Sequence, residues 1–310
     1  MNYRKQKINF YQKRTLGENI TATFDFLKDN WKPIVKLCLY VLLPLSIVQG
    51  VFMNNFTSAA VDAAMYPPTT ANALGGYSPT IVINYILLAL FYAVGHSLLA
   101  AIVYTVMQKY QSSETSEKYP LADIKDNFIS FMKQCFILMV YMMFISIGYL
   151  AIVGSLAYLF PYLLILIIPG TIALVIPLTL IFPAYILGEG SGTNNALKES
   201  FRLGFPTWGS LFLLILVLGI VSSIIKTVTL LPWYIVFFVS KIMSQVSGGV
   251  TTSNSVWVEF ITYILAALQA FGAYLAGIFI FVGAAFHYFS ALEAKDSVSV
   301  NDDIDNFEQL

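Results

Sequence analysis

Few side chains in this 310-residue chain could do chemistry, and the two histidines come first. His96 sits midway along the apolar stretch "YAVGHSLLAAIVY", and His287 lies in "GAAFHYFS". An ionisable group inside an apolar segment is costly, which makes each a candidate for a polar site. Imidazole is the least costly such group because it can stay neutral. Each also has an architectural reading: His96 as a neutral ring hydrogen-bonded between helices, His287 as a ring at the membrane interface. Their positions place His96 near mid-depth and His287 nearer the cytoplasm, so they are not expected to meet. Glu189 in "LGEGSG" stands at a glycine-rich turn where it can cap or pair with a helix. Glu259, beside Trp257, reads as a helix-start carboxylate favoured by the dipole. Cys38 and Cys135 show no CxxC or Cys/His spacing and read as small hydrophobes. No paired carboxylates fall in the apolar segments, and no P-loop, HExxH or GxSxG is present. The expectation is therefore no catalytic set, no cofactor, no metal and no enzyme activity.

The elements that hold these residues are apolar. The chain is 58% hydrophobic and 11% charged, where soluble domains carry about 25% charged residues. A zero net charge argues against nucleic acid as a partner. Crossing the hydrocarbon takes about 20 apolar residues, and six segments qualify: 36–53, 81–107, 136–158, 161–187, 211–231 and 260–292. The last exceeds what a bilayer needs, so it tilts or projects. Pro169, Pro177 and Pro183 crowd the fourth segment. Each removes a backbone donor, and the freed carbonyls must find partners elsewhere. That segment reads either as a kinked packing helix or as a hinge or cavity lining. The stretch 232–246 reads either as a short helix of its own or as a continuation of the fifth segment.

Basic residues set the orientation. Arg4, Lys5, Lys7, Lys13, Arg14, Lys28, Lys32 and Lys36 precede or open the first segment, and the 54–80 loop has none. Lys109, Lys118, Lys125 and Lys133 follow the second segment, and Lys198 and Arg202 precede the fifth. This alternation predicts both termini in the cytoplasm, with no signal peptide. Lys226 and Lys241 depart from it, and their long stems can snorkel to the interface. The basic N-terminal arm is a candidate contact for anionic lipid.

Three stretches ahead of apolar segments share a spacing. Ile20, Phe24, Leu27 and Trp31 stand at offsets 0, 4, 7 and 11, as do Ile124, Phe128, Phe131 and Cys135. Leu197, Phe201 and Trp208 repeat offsets 0, 4 and 11, with Gly204 at 7. Such offsets make one helical face. Charges back each stripe: Asp25, Lys28, Asp29 and Lys32; Lys125, Asp126 and Lys133; Lys198, Glu199 and Arg202. Helices of this kind lie in the membrane interface, with Phe24, Trp31, Phe128, Phe201 and Trp208 as anchors. Thr15 and Glu18 make a capping box before the first. The expected fold is all-α and integral to the membrane: one domain over 1–310, built as three repeats of a cytoplasmic amphipathic helix and a two-span hairpin. The repeats cover about 15–108, 120–187 and 194–292, and an acidic cytoplasmic tail covers 293–310.

"RTLGENITATFDFLKDNWKPIV" resembles the opening of a broad bacterial family of multi-span proteins, itself similar to the membrane domain attached to some glycerophosphoryl diester phosphodiesterases. "YILGEGSGTNNALKESFRLGFPTW" resembles its second signature, and "AFHYFSALEAKDSVSVNDDID" the last span and tail of standalone members. The resemblance covers nearly the whole chain and implies a bacterial inner-membrane protein without a catalytic domain. The phosphodiesterase chemistry belongs to a separate soluble barrel, which nothing here is long or polar enough to build. The expected function is that of a non-enzymatic inner-membrane accessory protein, scaffolding or sensing lipids or a membrane partner at its cytoplasmic face. The alternative is a transporter or channel for a lipid-like or small neutral solute, with His96 lining the path.

Overall fold

In lipid every backbone polar group must be satisfied within the chain, and long apolar runs do so as helices. The computed structural model describes residues 7–65, 79–112, 125–188, 192–246 and 256–298. Among these there is no strand. The helices are α1 (Leu16–Met65), α2 (Pro79–Ser112), α3 (Lys125–Leu159), α4 (Leu164–Leu178), α5 (Ile181–Ile186), α6 (Thr193–Gly204), α7 (Trp208–Val246) and α8 (Val256–Asp296). A 3-10 turn, Pro161–Leu163, joins α3 to α4. Six stretches of the described residues are long and apolar enough to cross a membrane: Leu16–Ala64, Ile81–Ser112, Asn127–Leu159, Pro161–Ile186, Trp208–Met243 and Val256–Asp296.

Two of the three amphipathic stretches are not separate helices. Phe24 and Trp31 lie in α1, a single 50-residue helix that runs on through Pro33 and Pro44. Phe128 lies in the first turns of α3, which continues as a span. An internal proline removes only one rung of the ladder, and neighbouring rungs carry the helix across it. The third stretch does form its own helix, α6, because Phe205, Pro206 and Thr207 make a turn before α7 begins. The 232–246 stretch is the continuation of α7 through Pro232.

The capping box forms as expected: the Thr15 amide donates to Glu18 Oε2 at 2.7 Å, and the Glu18 amide points at Thr15 Oγ1 at 3.4 Å. The fourth segment breaks between α4 and α5, where the Leu180 amide turns to the Pro177 carbonyl three residues back. Pro177 cannot donate to Ala173, and the indole Nε1–H of Trp208 donates to that freed carbonyl at 3.2 Å. Gly204 allows the approach, since a Cβ there would lie 2.7 Å from Pro177 Cα.

The chain divides into two compact units. The first draws on Met1–Ile34, Ala100–Ile220 and Ile278–Leu310; the second on Val35–Leu99 and Val221–Gly277. In the first, Phe10 is buried among Phe26, Tyr110, Phe286 and Phe289, with ring centroids 5.2 to 6.4 Å away. The extended N-terminal arm is thus part of the core. Its Ile8 amide donates to the Tyr110 hydroxyl, its Lys7 ammonium to the Gln111 carbonyl, and its Arg14 amide to Ser290 Oγ. Burial pushes the Arg14 guanidinium below its ordinary value, against the pull of Glu18. In the second unit, Trp233, Phe237 and Ala266 form a buried cluster with Met53, Val61, Leu230 and Leu265 against it. Gly50 of α1 meets the backbone of α8, where a Cβ would sit 2.7 Å from the Ala267 amide nitrogen. Small residues allow such close helix contacts in membranes.

Candidate functional site

The second unit gathers a polar group inside its apolar helices. Gln49 comes from α1, Tyr92 and His96 from α2, and Gln269 and Tyr274 from α8. The Tyr274 hydroxyl donates to Gln49 Oε1 at 2.6 Å and has the Phe91 carbonyl at 3.3 Å. It reaches them because position 95 is glycine; a Cβ there would lie 1.9 Å from Tyr274 Oη. His96 Nδ1 lies 2.8 Å from the Tyr92 carbonyl one turn back. A carbonyl only accepts, so Nδ1 carries the hydrogen and Nε2 keeps its lone pair. The His96 ring meets the Tyr274 ring edge-on at 5.5 Å. Among the described residues, the buried Gln49 Nε2 and Gln269 Oε1 make no well-formed hydrogen bond, although both amides border the Tyr92 hydroxyl. One is a donor and the other an acceptor, so a small molecule carrying both functions matches what they lack.

His287 falls in the first unit, so the two histidines belong to separate constellations. Its Nε2 lies 3.0 Å from Thr207 Oγ1, and that hydroxyl already donates to the Leu203 carbonyl at 2.7 Å. His287 Nε2 is therefore the donor, and Nδ1 is left buried as an unpartnered acceptor. Gly283, one turn before, admits Leu218 and Thr23 close to the α8 backbone.

The first unit also carries an apolar groove of about 560 Å³. Its walls come from α3 (Met142, Tyr149), α4 (Thr171, Leu174), α6 (Phe201) and α8 (Phe281). Its hydroxyls are occupied: Thr171 donates to the Ile167 carbonyl, which leaves Tyr149 to donate to Thr171. What remains is a hydrocarbon-lined trough beside two helices whose apolar faces are mostly exposed.

The proposed anchors are placed differently. Phe24 and Trp31 are exposed on α1, while Phe26, Asn30, Thr23 and Asn19, one position earlier in the stripe, are buried. In α6 the buried face is likewise Ala196, Ser200 and Leu203, and Phe201 turns to the groove. In α3 the stripe itself is buried at Phe131 and Cys135, and Phe128 is half-buried. Trp208 opens α7 and serves the Ala173 carbonyl. α6 is tied down by Arg202, which bridges Glu199 on its own helix and, at 2.6 Å, Asp296 at the end of α8. Those hydrogen bonds, to Asp296 first and Glu199 second, raise the Arg202 guanidinium further above its ordinary value. Glu189 lies outside the described residues. Gln49, Tyr274 and the arm residue Phe10 do not stand out in the sequence. Gln49 and Gln269 carry the available signal, as amides inside long apolar runs.

No family model, no curated protein and no solved structure matches the chain. What the fold defines is the class: an all-α, multi-pass membrane protein.

Proposed function

We propose that this is an accessory protein of a bacterial inner membrane, with both termini cytoplasmic, that performs no chemistry itself and holds a lipid. The observation that carries the reading is the groove between α3, α4, α6 and α8, whose volume of about 560 Å³ lies within the roughly 300–1,000 Å³ range of small-molecule sites. Its wall offers dispersion contact and almost no free hydrogen-bonding atoms, which suits an acyl chain. Exposed lysines that can meet an anionic surface include Lys13, Lys28 and Lys198, whereas Lys7 and Arg14 are committed to internal acceptors. A protein partner on the cytoplasmic face fits the exposed Phe205 beside α6. The family resemblance and the three-unit reading of the chain belong to the same proposal, with the amphipathic stretch in line with the span in the first two units. The test is native mass spectrometry of the gently extracted protein. One retained lipid is expected, and Leu174→Trp, which fills the groove, should release it. A wild-type protein without retained lipid, or a Leu174→Trp protein that keeps it, would sink the reading.

A second reading, transport of a small neutral solute, is favoured by Gln49 Nε2 and Gln269 Oε1, buried among apolar helices without a well-formed hydrogen bond. Uptake of small polar solutes into proteoliposomes, abolished by Gln49→Leu, is the result that reading requires.

A further inference from the structure

Charge is rare in the second unit, whose described residues carry Lys36, Asp62, Lys226, Lys241 and Glu259. Two of these, Lys241 and Glu259, line a pocket of about 380 Å³ formed by the end of α1, the end of α7 and the start of α8. Lys241 is held by both oxygens of Asp62, at 2.9 and 3.1 Å. An ammonium has three N–H donors, so one remains. The hydroxyls in the pocket present acceptors. The Ser240 hydroxyl donates to the Phe237 carbonyl at 2.8 Å, and the Thr262 hydroxyl to the Val258 carbonyl at 2.7 Å. Their lone pairs are left for a ligand. The Glu259 carboxylate has no partner among the described residues.

The pocket therefore offers a carboxylate and hydroxyl acceptors beside a single remaining cationic donor, with the neutral Asn54 and Asn55 amides and the Tyr263 hydroxyl also in its wall. A group that satisfies it carries several N–H donors on a positive centre and one anionic oxygen nearby. A quaternary ammonium has the charge and lacks the donors. On the same helix ends, Phe238 and Ile235 of α7 and Phe260 and Ile264 of α8 are exposed and apolar, and Trp257, adjacent in sequence to the pocket residue Val258, is 72% exposed. That is the arrangement of a head-group site above a lipid-facing surface, with an aromatic residue at interface depth.

We infer that this pocket binds the head group of a phospholipid bearing a primary ammonium, of the phosphoethanolamine type, in the leaflet remote from the N-terminus. The ammonium pairs with Glu259 and donates to Ser240 and Thr262; the phosphate takes the remaining N–H of Lys241. This site is separate from the acyl groove and stands whether or not that groove holds lipid.

The test uses the full chain, delipidated and titrated in native mass spectrometry with phosphatidylethanolamine, phosphatidylcholine and phosphatidylglycerol of identical chains. Wild type should prefer the ethanolamine lipid over the choline lipid by roughly tenfold, the value of one charge-assisted hydrogen bond. Glu259→Gln should collapse that ratio, and Glu259→Lys should shift preference to phosphatidylglycerol. Both changes are at an exposed position, so the fold is retained. Leu174→Trp removes any lipid held in the groove, so the ethanolamine preference should persist in that variant and be lost only when Glu259→Gln is added, which separates this site from the groove. Equal binding of the ethanolamine and choline lipids, or a ratio that survives Glu259→Gln, overturns the proposal. Displacement of the lipid by free phosphoethanolamine at equal concentration overturns it as well, by assigning the pocket to a soluble solute.

Discussion

The backbone carbonyl of Ala173 shows how one residue's defect is met by another. Pro177 leaves that carbonyl without its helical donor, and Trp208 supplies an indole N–H from the start of α7. Trp208→Phe keeps an aromatic ring and removes the donor, so unfolding in detergent should show a loss of about 1–3 kcal/mol, the cost of a buried unpaired polar group. In a Pro177→Ala background the helix regains its own donor, and the same Trp208→Phe change should then cost much less. A double-mutant cycle checks the coupling. Gly95 makes a second case at this scale. A methyl at that position would sit 1.9 Å from Tyr274 Oη, so Gly95→Ala must displace the tyrosine from Gln49, at about 1–3 kcal/mol for overpacking. Gly148→Ala in α3, where a Cβ meets nothing within 4 Å, should be neutral or stabilising by up to about 1 kcal/mol from helix propensity. Thermal unfolding of the two variants side by side decides it.

At the scale of elements, the N-terminal arm and α6 are each fastened to the first unit by identifiable side chains. Phe10 is 3% exposed and packs against four aromatic rings. Phe10→Ala should cost about 3–5 kcal/mol, as for other buried phenylalanines, and should raise amide exchange along the arm. α6 depends on the Arg202 bridges to Glu199 and Asp296. These side chains are partly exposed, so each pair is worth about 1 kcal/mol or less. Arg202→Gln should loosen α6 in hydrogen exchange with little change in global stability; a large global loss would show that the pair holds more than this helix. α1 should show unbroken amide protection through Pro33, apart from the proline itself. A gap of several unprotected residues there would restore the picture of a separate interfacial helix.

At the scale of the whole molecule, six long apolar stretches account for the composition, and the burial is uneven among them. The most apolar window of α8 is 61% buried and that of α3 only 11%. α8 is accordingly rich in alanine and glycine, while α3 and α4 present large aliphatic side chains outward. In water this pattern would precipitate the protein; in a bilayer it is the expected surface. Cysteine accessibility mapping tests the orientation. The thiol of Ser297→Cys should react with a membrane-impermeant reagent from the same side as that of Lys13→Cys, and the thiol of Asn55→Cys from the other.

The six spans were legible in the sequence because hydrophobic length is a local property. The segments 36–53, 81–107, 136–158, 161–187, 211–231 and 260–292 each coincide with one of the six long apolar stretches of the structure. The capping box at Thr15 and the broken fourth segment at Pro177 and Pro183 were likewise readable from single residues. The direction in which each stripe faces was not. An apolar stripe in water points to the core, but beside lipid it can point outward, and then the small and polar face goes in. In α1 it does, with Asn19, Thr23 and Asn30 inside and Phe24 and Trp31 outside, whereas in α3 the stripe is buried at Phe131 and Cys135. Nor could the sequence bring Gln49, His96 and Tyr274 together, or Lys241 and Glu259, because those meetings depend on how distant helices pack. Periodicity along one helix carries no information about its neighbour, and only the tertiary structure decides it.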